Sequence, residues 1–278
     1  MDDFPYIPVT SITSGEGKEV GRDVYFLSIQ IVNVCFVGNR DNPGEWVLVD
    51  AGMPKSADTI MKVAEKRFGA GSRPKAIVLT HGHFDHVGAL RELVEHWQVP
   101  VYAHELEMPY VTGKSDYPPA DPSADHGLMV KMSPLLPRHG IDISPHVKPL
   151  PLDGSIPAMP EWRWIHTPGH THGHISLFRG ADRTLIVGDA FTTVKQESLY
   201  KVLTQEQELN GPPAYFTTNW QDAWDSVKRL AALKPSLAVP GHGIPMSGER
   251  LIRGLEELAA NFARTEIPKD GKYVDKPE

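Results

Sequence analysis

The sequence predicts a mixed α/β fold, and three observations carry that prediction. Short runs of aliphatic and β-branched residues, such as Ala76–Leu79 and Leu185–Val187, stop abruptly at polar turns, as buried strands do. Other segments repeat their apolar residues at three and four positions, the spacing of one helix face. The two kinds alternate on both sides of a proline-dense middle, which favours sheets covered by helices.

Taken in order, the first strands are predicted at Val24–Ser28, Ile31–Val37 and Trp46–Asp50, with Gly38–Gly44 as a polar turn. Ser56–Arg67 reads as a helix with Ile60, Val63 and Ala64 on one face, and Ser56 is placed to cap it. Ala76–Leu79 is the next strand, and Val87, Leu90 and Val94 predict a helix over Val87–Trp97. From Pro109 to Pro160 prolines are dense. Each fixes φ and removes a backbone donor, so only a short helix over Gly127–Leu136 is expected there. Strands return at Trp162–His166, His174–Arg179 and Thr184–Gly188. Phe191–Phe216 lacks periodicity and is broken by Gly211-Pro212-Pro213; a loop of that length is expected to act as a lid. Asp222–Leu233 reads as a helix, Leu237–Pro240 as a strand and Glu249–Arg264 as the last helix. The organisation expected is a single domain over residues 1–268, with 109–160 inserted near the site mouth and 269–278 as a fraying polar tail.

Composition narrows the class. A chain of 278 residues, 40% hydrophobic and 23% charged, can bury a sizeable core and is expected to be soluble and ordered. A formal charge of -7 argues against a nucleic acid partner, and no apolar run approaches the roughly twenty residues of a membrane span. The start, Met1-Asp2-Asp3-Phe4-Pro5, lacks a basic-then-apolar export signal, so the cytoplasm is the expected location. Cys35 is the only cysteine and stands among Val32, Val34, Phe36 and Val37, which predicts a buried core residue and no intrachain disulfide.

The chemistry is concentrated in Thr80-His81-Gly82-His83-Phe84-Asp85-His86. One histidine alone is usually a hydrogen-bonded structural residue. Three histidines and an aspartate within six positions, on a loop between strand and helix, are a metal site: imidazole and carboxylate suit zinc and related first-row metals.

The spacing His-x-His-x-Asp-His resembles the motif of the metallo-β-lactamase superfamily, and the rest of the pattern follows in order. His170 lies in Thr167-Pro168-Gly169-His170-Thr171, Asp189 in Leu185-Ile186-Val187-Gly188-Asp189-Ala190, and His242 in Val239-Pro240-Gly241-His242-Gly243. Upstream, Val47-Leu48-Val49-Asp50-Ala51-Gly52 resembles an early strand of that family. The resemblance runs from about Asn33 to His242 and implies a four-layer αββα sandwich. It also implies two divalent ions, zinc first, with iron or manganese as alternatives. His81, His83 and His170 would hold one, Asp85, His86 and His242 the other, and Asp189 would bridge them. Asp50 would orient a ligand histidine. The implied reaction is attack on a carbonyl by a metal-bound hydroxide, with Asp85 as the candidate that holds its proton.

Departures from the family's branches point to a substrate class. Asp189 stands where the true β-lactamases usually carry cysteine or serine, which disfavours β-lactam hydrolysis. His83 replaces the glutamate of the flavodiiron branch, the stretch after His242 is short for a glutathione-thioester domain, and no segment is long enough for a nuclease insertion, so phosphodiester cleavage is disfavoured too. What remains is a glyoxalase-II-like or lactonase-like hydrolase of small esters, thioesters or lactones. In the expected lid, Phe191, Leu199, Tyr200, Tyr215 and Phe216 suit a carbon skeleton, and Lys195 and Lys201 suit an acidic group. His172 is a further pocket candidate, whereas His174 reads as a buried hydrogen-bonding residue. Two other classes stay open: a mononuclear iron persulfide dioxygenase using His81, His170 and Asp189, and a non-catalytic binding module.

Overall fold

The structure, a computed structural model, describes residues 4, 5 and 7–274. The chain divides into two compact units, one running up to Tyr117 and resuming over Pro137–Trp164, the other made of Pro118–Leu136 and the chain from Ile165 onward. The proline-dense stretch is therefore shared between the two units.

The first unit is built on a seven-stranded sheet in sequence order: β1 (Gly17–Glu19), β2 (Val24–Ile29), β3 (Val32–Val37), β4 (Val47–Val49), β5 (Ile77–Val78), β6 (Val101–Ala103) and β7 (Val147–Pro149). Strands β1 to β4 pair antiparallel and β4 to β7 parallel. The edge strands do not look like strands in sequence. β1 is fully exposed and β7 ends in Pro149, and both features are tolerated at an edge because one side of the ladder needs no donors. Four helices accompany this sheet: α1 (Ala57–Phe68), α2 (Phe84–Val87), α3 (Leu90–Trp97) and α4 (Met108–Val111). In α1, Ala57, Ile60, Ala64 and Phe68 are buried, the one-face stripe its spacing predicts. Ser56 holds the N-cap position but does not cap: its hydroxyl donates to Met53 O at 2.7 Å. Trp46 anchors the core, stacked on Phe68 at 4.6 Å and on Phe36 of β3 at 5.6 Å and edge-on to Trp97 at 5.7 Å, and Cys35 is buried in β3. Burial pushes the Cys35 thiol far up, with Asp50 adding to it, so it stays protonated.

Of the helix expected over Val87–Trp97, α3 forms over Leu90–Trp97, and Val87 ends the separate turn α2. Gly88 lies between them against the backbone of Met53 and Pro54, where a Cβ would stand 2.2 Å from Pro54 N and 2.5 Å from Met53 C. Its N–H instead donates to Gly52 O at 2.8 Å, holding the first motif against the turn after β4.

A second sheet has five strands ordered β12-β11-β10-β9-β8: β8 (Trp162–His166), which begins in the first unit and ends in the second, and, all in the second, β9 (Ile175–Arg179), β10 (Thr184–Gly188), β11 (Leu237–Pro240) and β12 (Met246–Ser247). β10 runs parallel to β11 and antiparallel to β9. The helices of the second unit are α5 (Leu128–Met132), α6 (Leu199–Thr204), α7 (Trp220–Ala232) and α8 (Gly248–Thr265). The core joins Leu185 and Val187 of β10 to Trp220, Ala223, Val227 and Leu230 of α7 and to Leu251, Leu255, Leu258 and Phe262 of α8. Asn219 caps α7, its side-chain oxygen accepting from Asp222 N at 3.0 Å. The Phe191–Phe216 stretch is less irregular than its sequence: α6 and a 3-10 turn at Ala214–Phe216 lie within it. The described part of the tail is also tied down rather than frayed, with Lys272 N donating to Asp121 and Tyr273 OH to Pro119 O, both at 2.6 Å; 275–278 lie outside the described residues. Among the described residues no helix is long and apolar enough to cross a membrane.

Candidate metal centre

In the first unit the motif leaves the carboxyl end of β5, beside that of β4. His81, His83, Asp85 and His86 are all buried, and Asp85 and His86 sit on the single turn of α2. Asp50 closes β4 in a left-handed conformation, φ 61°, which aspartate adopts more readily than most residues. Its carboxylate gathers the motif. Oδ1 accepts from Thr80 N at 2.8 Å, and Oδ2 accepts from the Thr80 hydroxyl at 2.8 Å and from His86 Nδ1 at 2.9 Å. A carboxylate only accepts, so His86 carries its proton on Nδ1 and presents the Nε2 lone pair. The Thr80 hydroxyl, having given its proton to Asp50, accepts from His81 Nδ1 at 3.1 Å and sets the same tautomer there. Asp50 thus orients two candidate ligands, one directly and one through Thr80. The His81 ring lies 4.2 Å from that of His86 and 4.7 Å from that of His83.

A second set of contacts grips the same loop. Gly82 N donates to Glu107 Oε2 at 3.0 Å and to Tyr117 OH at 2.9 Å, and Tyr117 OH donates to Glu107. Burial, together with the Glu107 charge and hydrogen bond, pushes the Tyr117 phenol well up, so it remains a donor.

In the second unit the three later candidates also lie just beyond strand ends. His170 follows β8, Asp189 follows β10 and His242 follows β11, and all three are buried. The turn before His170 requires glycine: Gly169 has φ 127°, and a Cβ there would stand 2.3 Å from Ala223 N. Its carbonyl accepts from Thr218 N and Asn219 N at 3.0 Å, tying the ligand loop to the start of α7. His174 positions Asp189, as its Nε2 accepts from Asp189 N at 2.8 Å while Nδ1 donates to Thr167 O at 3.1 Å. One Asp189 oxygen, Oδ2, stands 3.2 Å from His242 Nε2 and 3.5 Å from His170 Nε2. Two ligands each about 2.1 Å from a tetrahedral ion stand roughly 3.4 Å apart, so these separations fit ligands converging on metal. Buried imidazole and carboxylate donors make His81, His83, Asp85 and His86 the residues of the first unit that can hold metal, and His170, Asp189 and His242 those of the second.

The pocket candidates divide. Lys195, Tyr200 and Lys201 line a cleft of about 770 Å³ in the second unit, with Leu128 from α5 and Leu199 and Leu203 from α6. Lys195 lies 3.8 Å from Asp125, and Lys201 is bonded to Glu208. Phe191 does not line the cleft; it is fully buried in the hydrophobic core, where the strand-end position after β10 carries it. Tyr215 is also buried outside the cleft, its carbonyl accepting from Asp121 N at 2.8 Å, and His172 is exposed. Sequence reasoning missed Thr80, Glu107 and Tyr117. Thr80 was open to detection, as a hydroxyl beside the first ligand. Glu107 and Tyr117 are 25 and 35 residues from Gly82, and only the pairing of β5 with β6 brings the first of them near.

Residues 29–242 match the family described as the metallo-β-lactamase superfamily. Among curated proteins the chain is 56% identical over 255 residues to the probable metallo-hydrolase YflN of Bacillus subtilis, covering 92% of this chain and 97% of that one. It is 30% identical to the probable metallo-hydrolase YybB of the same organism, covering 83% and 86%. Among solved structures it resembles BLEG-1, a B3 metallo-β-lactamase, with a TM-score of 0.56 at 22% identity over 86% of this chain and 97% of that one. It also resembles TTHA1623 in a di-iron-bound form, with a TM-score of 0.50 at 25% identity over 84% and 93%. Mixed sheets with flanking helices are the fold these neighbours share. The ordered ligands at successive strand ends, the family match across most of the length and the two near-full-length relatives agree: the chain belongs to the metallo-β-lactamase superfamily.

Proposed function

We propose that this protein is a dinuclear metal-dependent hydrolase of a small ester, thioester or lactone. The observation that carries the reading is Asp189, whose Oδ2 faces the Nε2 atoms of both His170 and His242, an arrangement that suits a carboxylate oxygen shared between ions. The names of YflN and YybB as probable metallo-hydrolases support the reaction class. In this reading His81, His83 and His170 would hold one ion and Asp85, His86 and His242 the other, with Asp189 contributing to both. When bound, the pair supplies a water acidified from about 15.7 toward 7 and polarises the scissile carbonyl.

The chain's own residues do the rest. Asp50 and Thr80 fix the tautomers of His86 and His81, and His174 holds the Asp189 peptide. Asp85 is the candidate to hold a proton. Leu128, Leu199 and Tyr200 suit the carbon skeleton of a substrate, and Lys195 an acidic substituent. Zinc is the proposed metal, and the di-iron form of TTHA1623 makes iron the first alternative to measure. Elemental analysis of purified protein, with a panel of lactones, thioesters, phosphodiesters and β-lactams, tests the reading. About two metals per chain, and heavy oxygen from labelled water appearing in the acid product within one turnover, are expected. One iron per chain with thiol-dependent oxygen uptake would replace it with the dioxygenase.

A further inference from the structure

We infer that Glu107 and Tyr117 are positioning residues for the first metal motif: they clamp the Gly82 peptide between His81 and His83 and thereby set how tightly that ligand pair holds metal. The inference rests on the metal reading above. Gly82 is the one residue between the two ligands, and its N–H is shared by Glu107 Oε2 at 3.0 Å and Tyr117 OH at 2.9 Å. Glu107 Oε2 accepts from Gly82 N–H and from the phenol, and the phenol oxygen accepts from Gly82 as well. Glu107 is 0% exposed and Tyr117 3%, which makes these bonds costly to break.

The clamp also acts through the rings. Tyr117 lies 4.4 Å from the His83 ring, and Tyr110 stacks behind it at 3.9 Å, so rotation of His83 meets a packed aromatic wall. There is no slack at the peptide itself, because a Cβ on Gly82 would stand 2.6 Å from Tyr117 OH. The origin is topological. Glu107 follows β6, the parallel neighbour of β5, and the Glu107 N–H is fixed on His104 O at 2.9 Å. Carboxyl ends of adjacent parallel strands lie side by side, so a carboxylate after one can reach the loop after the other.

The test uses Tyr117→Phe, which keeps the ring on His83 but removes the hydroxyl, and Glu107→Gln, which keeps the shape but removes the charge. Metal-free full-length protein is titrated with cobalt(II) against a chromophoric chelator. Each variant should bind the first cobalt about 10–100-fold more weakly, with a shifted visible absorption band. The double variant should fall little below the weaker single one, since both act on one peptide. Asp153→Asn, at an exposed carboxylate of the same unit, should bind as wild type. Wild-type affinity and spectrum in both variants would overturn the clamp while leaving the metal reading intact. If Glu107→Gln fails to fold, Tyr117→Phe decides alone. A wild-type protein that takes no cobalt would overturn both the metal reading and the clamp.

Discussion

Asp50 shows how much a single side chain organises. It collects the Thr80 N–H, the Thr80 hydroxyl and His86 Nδ1 on two oxygens, so both histidines present Nε2 before any metal arrives. Asp50→Asn tolerates the left-handed backbone yet turns one acceptor into a donor that faces a donor. Metal affinity in chelator competition should fall about 10–100-fold with the fold retained, and unchanged affinity would mean that the tautomers are set elsewhere. At this scale the candidate ligands are legible because six consecutive positions hold four of them, and because each later candidate stands after an apolar run. Asp50 was legible by the same rule. Thr80 hid in a motif read for ligands alone. Glu107 and Tyr117 were illegible for a different reason: nothing in a linear sequence states that β6 lies beside β5.

Elements were legible wherever burial wrote a pattern. β8, β10 and β11 fall where their apolar runs place them, whereas exposed β1 and the proline-ended β7 carry no such pattern. The break between α2 and α3 escaped periodicity because Gly88 N–H bonds Gly52 O rather than the turn before it, which no apolar spacing records. Gly88→Ala should cost about 1–3 kcal/mol in urea unfolding, since Pro54 and Met53 backbone atoms cannot yield. Gly44→Ala, where a Cβ meets nothing within 4 Å, should be neutral or stabilise by up to about 1 kcal/mol. The β9–β10 turn carries a pH dependence. Burial alone would raise the Asp182 carboxyl, but hydrogen bonds from Arg179 and Thr184 and the Arg179 charge bring it down to about 2. A folded value below the unfolded 3.8 contributes stability that is present above about pH 4 and lost as pH falls through about 2. Asp182→Asn should flatten that acid limb of the unfolding curve, and an unaltered slope would assign the acid loss to other carboxylates.

At the scale of the molecule, each candidate ligand of the second unit follows a strand end and a glycine, Gly169 before His170, Gly188 before Asp189 and Gly241 before His242, whereas in the first unit the motif follows β5 directly. Such ligands are stable folded neighbours chiefly when a cation completes them, so metal and stability should be linked. At a free metal concentration a thousand times Kd, binding to the native state alone contributes about 4 kcal/mol, and a chelator should lower the melting temperature reversibly. The sharpest version separates a ligand from a bystander. Asp189 is buried, faces two histidines through one oxygen and is held at its N–H by His174, whereas His172 lies exposed only two residues from His170. Asp189→Ala should lose most of the bound metal and melt like the chelated wild type with or without added zinc. His172→Ala should keep the wild-type metal content and the wild-type rise in melting temperature. Equal losses in the two variants would show that the ligand assignment in the second unit is wrong.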